Sequence, residues 1–429
     1  MSTTTISSVF AWEALDSRGT PTVACEVRLE AGGRGVAIVP SGASTGRHEA
    51  LELRDGGTRY GGKGVLRAVA NVNGELASVV RGLDAGDQDG LDAALRSADG
   101  TTTLHRSGAN AVLSISVAAA LAGADGEGVP LYRHLLRPGD EPLIPLPMVN
   151  VISGGAHAGG AIDVQDFLVV PCGAASFAEA IEWAARVRGA TATLVAERGL
   201  PASLVADEGG LGPALPSNRD ALELLARGIE RAGLRAGDEA AIAIDVAASQ
   251  LVAEGGYRLA REGRTLEAAD LVAELLHWCG TYPIVSIEDP LGEDDWSGWG
   301  EAARRLGHVQ LIGDDLFVTD LERLERGIRE RAANSILVKP NQTGTLSSAR
   351  RVTRRAAEAG FATVVSARSG ETEDAWLADL AVGWRAGQIK VGSTTRSERT
   401  AKWNRLLRIE AELDGAAAFA GRAALGGSR

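Results

Sequence analysis

Six short apolar runs in the second half of the chain, AIAID, PIVSIE, VQLIGD, SILVK, ATVVSARS and GQIK, end in or beside groups that can do chemistry. Those groups are Asp245, Glu288, Asp314, Lys339, Arg368 with Ser369, and Lys390. The three carboxylates offer only oxygen donors, which suit octahedral Mg²⁺ rather than a zinc or copper site built on His and Cys. Lys339 comes next, and a lysine among other cations can be lowered in pKa until its neutral amine accepts a proton. Singly, each carboxylate also reads as a strand-end cap or ion-pair partner, and Lys339 as the counter-charge of the trio. Their succession points to metal-assisted proton transfer. Earlier in the chain stand His157 in SGGAHAGG, Gln165 and Asp166 in DVQDF, and Glu208 in VADEGGLG. The flanking glycines allow backbone to approach a ligand closely, although each of these residues can also be a plain turn feature.

The elements that must position these groups follow from their spacing. After a first gap of 43 residues the charged endings recur every 22 to 29 residues, the length of one strand, one helix and their loops. Repeated βα units build a parallel sheet, and closing it into a barrel gathers the C-terminal strand ends on one rim. At 429 residues the chain exceeds a barrel of about 250 and leaves room for a second domain. Residues 1–136 read as an α+β domain: strand-like PTVACEVRLE and RGVAIVP, then helical GVLRAVANVNGELASVV and GANAVLSISVAAALAGA. The proline-rich stretch RPGDEPLIPLP marks the boundary, and residues 137–429 carry the barrel.

Net charge of −12 argues against a general nucleic-acid or anionic-membrane surface, and an anionic substrate would need a metal to mediate it. Cys25, Cys172 and Cys279 lack zinc spacing and suit a reducing cytoplasm. No secretory signal is visible at the N-terminus. The run 111–124 is too short and too rich in Ala and Ser to span a bilayer and reads as a buried helix. In SFAEAIEWAARV, Ser176 and Glu179 form a capping-box pattern, with Phe177, Ile181 and Ala184 on one face. The small-residue tail GAAAFAGRAALGGSR is expected to pack loosely. The loop VPSGASTGRHE has hydroxyls and backbone freedom suited to a mobile lid or an oxyanion grip, and lacks the Lys of a phosphate-binding P-loop.

From LDSRGTPTV to KWNRLLRIEAEL the chain resembles the enolase family. The resemblance rests on PSGASTGRHEALELRDG, GANAVLSISVA, VADEGGLGP, SIEDPLGEDDW, GDDLFVT, KPNQTGT and SGETEDAWLADLAVG. It implies a small capping domain before a barrel that begins ββαα, in a cytoplasmic homodimer or larger assembly. It further implies glycolytic, Mg²⁺-assisted β-elimination of water from 2-phospho-D-glycerate to give phosphoenolpyruvate, with two Mg²⁺ per active site. By motif position Asp245, Glu288 and Asp314 resemble the ligands of the first ion, and Ser44 the lid serine that helps hold the second. Lys339 resembles the base, Glu208 the acid that protonates the departing hydroxyl, and His157, Gln165, Asp166, Arg368, Ser369 and Lys390 the contacts to substrate and phosphate. Two divalent ions on a carboxylate stabilise the ene-diolate that forms when its neighbouring carbon loses a proton.

The chain departs from the family pattern at the pocket. Ala367 stands where the family usually has a histidine before Arg-Ser, and Asp166 replaces the glutamate of the Gln-Glu pair, drawing that carboxylate back by about 1.5 Å. A shift of about 1 Å can cost on the order of 100-fold where geometry is critical. Pro340 and Thr343 flank Lys339, and Gly159-Gly160 follow His157. Two alternatives therefore accompany an ordinary enolase. One is a specialised paralogue for a related phosphorus-containing acid, such as the carboxyphosphonoenolpyruvate synthase of phosphonate antibiotic pathways. The other is a non-catalytic interaction protein on an enolase scaffold.

Overall fold

The computed structural model describes residues 4–43 and 46–426. The chain begins with an antiparallel meander of β1 (Ile6–Leu15), β2 (Pro21–Leu29) and β3 (Arg34–Ile38). Helix α1 (Ala109–Glu127) lies across β2 and β3 and is buried on nearly every face. A helix that is apolar all round belongs in a core, and Ala and Gly let it approach the sheet closely. A Cβ on Gly35 of β3 would fall 2.1 Å from the Ala118 carbonyl oxygen, so only glycine fits there. The sequence run read as 111–124 is thus part of a 19-residue helix, long and apolar enough to cross a membrane but 83% buried within the fold.

The remainder forms a closed eight-stranded barrel. Its strands are β4 (Leu146–Ser153), β5 (Asp166–Val170), β6 (Ala241–Asp245), β7 (Ile284–Glu288), β8 (Gln310–Gly313), β9 (Ser335–Val338), β10 (Ala362–Ser366) and β11 (Gln388–Gly392). Only β5 runs antiparallel to its neighbours, and β11 pairs with β4 to close the ring. Between β5 and β6 come α2 (Phe177–Glu197) and α3 (Asn218–Arg231), which gives the ββαα opening. The later βα units carry α4 (Ala268–Thr281), α5 (Trp296–Leu306), α6 (Leu321–Glu330), α7 (Leu346–Glu358), α8 (Trp376–Gly383) and α9 (Ser397–Leu413).

Ser176 caps α2 by accepting from the Glu179 amide at 3.2 Å, while the Glu179 carboxylate reaches back one residue further, to the Ala175 amide at 2.7 Å. Phe177 and Ala184 are fully buried and Ile181 is half-buried, the face expected from their spacing.

As far as residue 426 the tail does not pack loosely, and its last three residues lie outside the described ones. Ala418–Phe419 pairs in parallel with Leu143–Ile144, and Arg422 donates to the Gly237 and Asp238 carbonyls. Leu425 inserts among Leu146, Met148, Leu168 and Val364 at the N-terminal end of the barrel. Small residues suit this plug because the space left at that end is narrow. Leu425→Ala is expected to lower stability by about 2 kcal/mol, seen as an earlier midpoint in urea, because it opens a cavity in that end layer.

Candidate active site

The opposite end of the barrel is charged. Strand register sets Asp166 of β5 beside Asp245 of β6, and Asp245 beside Glu288 of β7. Like charges directly opposed on neighbouring strands repel, and here all three are buried. Lys390, from β11, answers two of them: its Nζ lies 2.8 Å from Asp245 Oδ2 and 2.8 and 2.9 Å from the two Glu288 oxygens. Burial alone would lower the Lys390 ammonium, but Asp245 and Glu288 raise it well above the usual lysine value. Burial, then Asp245, in turn push the Glu288 carboxyl well above the usual carboxylate range. The row therefore carries more negative charge than one lysine balances.

Asp314 and Lys339 each lie one residue past a strand end and pair with one another through Lys339 Nζ and Asp314 Oδ2. Burial, with Arg368 and Lys390, would lower Lys339, but Asp314 and Glu288 together leave the ammonium above its usual value. Of the two readings open from sequence, a base of lowered pKa or the counter-charge of the carboxylate trio, the contact with Asp314 fits the second. Arg368, beyond β10, is buried and donates to Glu49 Oε2 at 2.9 Å and to Asn341 Oδ1 at 3.0 Å. Ser369 Oγ accepts from the Ala43 amide at 2.6 Å, tying the capping domain to the barrel rim.

A third group stands across the ring. His157 Nδ1 lies 3.0 Å from Asp166 Oδ2, and its Nε2 lies 3.8 Å from Glu208 Oε1. Burial alone would lower the imidazole, but Asp166 and Glu208 hold it up at about 9. Burial raises the Asp166 carboxyl. Glu208, where burial is outweighed by His157 and then Arg399, stays below the usual range. A cavity of about 20 Å³ is lined by His157, Gln165, Glu208, Asp245, Lys339 and Arg368, with Ala367, Ser369 and Lys390 completing the wall. This is room for one water, so a small acid can enter only if the rim parts. Gln165 also lines an outer cleft of about 460 Å³ and so stands between the two spaces.

Of the residues singled out by sequence, Glu288 and Asp314 do not line the cavity, and neither does Asp166. Its carboxylate accepts from Asn150 and faces the Nδ1 side of His157, so the shorter side chain orients the imidazole from behind. Ser44 lies outside the described residues. Asp245, Glu288 and Asp314 share one rim, but Lys390 sits between the first two, and the tightest acidic cluster around Asp314 is with Asp289 and Asp315. Asp289 accepts from the amides of Asp314 and Asp315 at 2.9 and 2.8 Å and fixes their turn. Burial and then Asp315 push its carboxyl well above the usual range, and burial with Asp314 pushes Asp315 up to about 7. Sequence reasoning missed these two and also Glu49 and Gln342. The doubled acids in SIEDP and GDD, and the glutamate of RHEALE, were the available signals.

The donor set fits a hard divalent cation. Asp245, Glu288 and Asp314 supply only oxygens, and burial first, then Asp245 and Asp314, raises the Glu288 carboxyl, which a hard cation beside it would favour in its ionised form.

A capped barrel with one antiparallel strand thus gathers buried acids and lysines around a small cavity at one rim. Residues 6–135 match the family model for the enolase N-terminal domain, and residues 141–426 that for the enolase C-terminal TIM barrel domain. The chain is also 52% identical over 420 residues, 97% of each chain, to the enolase of Rubrobacter xylanophilus. It belongs to the enolase family. It is a phosphopyruvate hydratase-like hydro-lyase, which sets aside the non-catalytic alternative.

Because the folded pKa of His157 lies above the ordinary 6.5, the native state holds that proton more tightly than the unfolded chain. The associated stability is full below pH 6.5 and is lost as pH rises through about 9. By NMR the imidazole is expected to titrate near 9, and the stability gap between the parent and His157→Gln should shrink over that window. An imidazole that titrates below 6.5 would overturn the assignment.

Proposed function

We propose that the protein catalyses the reversible dehydration of 2-phospho-D-glycerate to phosphoenolpyruvate, as in glycolysis, with Mg²⁺ as its cofactor. One observation carries this reading. Lys339 follows β9, four strands round the ring from the β5 side where Glu208 gathers with His157 and Asp166, and all but Asp166 line one cavity. A proton acceptor and a proton donor on opposite walls suit an elimination in which hydrogen and hydroxyl leave from opposite faces of the substrate.

Asp245, Glu288 and Asp314 would hold the first Mg²⁺, and Ser44 would help to hold a second. Such ions, when bound, supply the positive charge that stabilises an ene-diolate on the substrate carboxylate. Lys339 takes the proton from the carbon next to that carboxylate. It can do so only as the neutral amine, which requires that the negative charge of Asp314 be satisfied elsewhere. The released electron pair forms the double bond as the carbon–oxygen bond on the far side breaks. Glu208 gives a proton to the departing hydroxyl, which leaves as water. In the ionised state held by its cationic neighbours Glu208 has none to give, and His157, charged and facing both Asp166 and Glu208, is the group that supplies it. Arg368, Ser369 and Lys390 meet the phosphate and carboxylate, and Gln165 forms part of the cavity's wall.

His157, Gln165, Glu208, Asp245, Lys339, Arg368, Ser369 and Lys390 around one cavity support the reading. The capping-domain and barrel division at residues 136 and 137, the cytoplasmic location and a homodimer or larger assembly belong to the same proposal. Exposed Phe10 and Leu15 on β1 favour a second copy of the chain as partner. A second reading, a related phosphorus-containing acid as substrate, rests on Ala367, which sets a methyl group and no imidazole next to Arg368 and Ser369.

Turnover of 2-phosphoglycerate followed by enol absorbance tests both. The parent is expected to be active, to lose activity on chelation and regain it with Mg²⁺. Lys339→Ala should lower the rate by about 100-fold to 10,000-fold. Negligible turnover by a folded, Mg²⁺-binding parent, with a gain in Ala367→His, would transfer the reading to the related acid.

A further inference from the structure

A cleft of about 620 Å³ opens on the flank of the barrel between α7, α8 and the segment after residue 135. It shares no lining residue with the catalytic cavity. Five arginines line it, Arg137, Arg350, Arg351, Arg354 and Arg385, against three carboxylates, leaving an excess of two positive charges in a chain of net charge −12. Each carboxylate is already engaged: Asp89 by Arg350 at 2.9 Å, Glu358 by Arg354 at 2.8 Å, and Asp140 by Arg385 at 3.8 Å. Arg137 and Arg351 make no ion pair among the described residues. The same wall contains Trp384, whose buried indole Nε1–H has no hydrogen-bond partner there.

We propose that this cleft binds a polyanion bearing two or more linked phosphate groups, independently of the substrate reading above. Guanidinium groups are planar forks that match phosphate oxygens two at a time, and two uncompensated ones ask for more than one negative group. The volume is that of a small-molecule site, larger than a single phosphate fills.

Calorimetric titration of the full-length protein, in Mg²⁺-free buffer, with inorganic tripolyphosphate, ADP and orthophosphate tests this. The catalytic cavity is itself an anion site, so Arg137→Glu/Arg351→Glu and Arg368→Gln are titrated beside the parent. Saturable binding of tripolyphosphate or ADP at one site per chain is expected. It should weaken about tenfold or more in the double reversal and persist in Arg368→Gln, while orthophosphate binds far more weakly. Turnover of 2-phosphoglycerate by the double reversal should match the parent. Tighter binding of ADP than of tripolyphosphate would support a nucleotide, its base on Trp384, and the reverse order an inorganic chain. No saturable binding, or binding lost in Arg368→Gln and kept in the double reversal, overturns the proposal.

Discussion

Lys390 holds together a row of charges that would otherwise push the barrel apart. Asp166, Asp245 and Glu288 are opposed on adjacent strands by register, and register in a closed barrel cannot be adjusted locally. Burial strengthens their repulsion, because little solvent remains to screen it. Lys390 offsets part of it from across the ring, while burial and then Asp245 keep the Glu288 carboxyl raised. Stability and chemistry therefore draw on the same groups.

The capping domain has a second part in this arrangement. Glu49 receives Arg368 at 2.9 Å and, through its other oxygen, the Gly46 amide at 2.8 Å. Gln342 donates to Asp314 at 2.9 Å and accepts from Thr319, whose hydroxyl oxygen in turn accepts the Lys339 amide. The Leu346 amide donates to Ser116 of α1 at 3.0 Å. The turn that follows Lys339 is thus anchored to the buried helix of the other domain. A rigid first layer of side chains needs such support, since a small displacement at the reacting atoms is costly.

Much of this was legible in the chain. Apolar runs ending in charge at regular intervals announce a barrel rim, because strands buried on both faces must be apolar until they reach it. The residues at those endings do converge. Less legible was what each charge faces. Spacing along the chain left Lys339 open between a base and the counter-charge of the carboxylate trio, and the contact that decides, with Asp314, joins two loops and is encoded in no local pattern. Asp166 looked like a cavity residue and lies behind His157, because strand register and not sequence order decides which side chain stands in front. The tail read as loose from its composition, yet small residues are what a narrow barrel end accepts.

Closure of the barrel between β4 and β11 also has a consequence for synthesis. Leu146 must find Gln388, a partner made much later, and Leu425 then seals the end beneath them. While the nascent chain is short of β11, β4 presents an unpaired strand edge rich in apolar side chains. The meander of β1 to β3 and α1, by contrast, contains its own partners and can form as soon as it emerges. The domain that later covers the site is thus the first to fold, and the barrel is completed beneath it, with its longest-range contact made near the end.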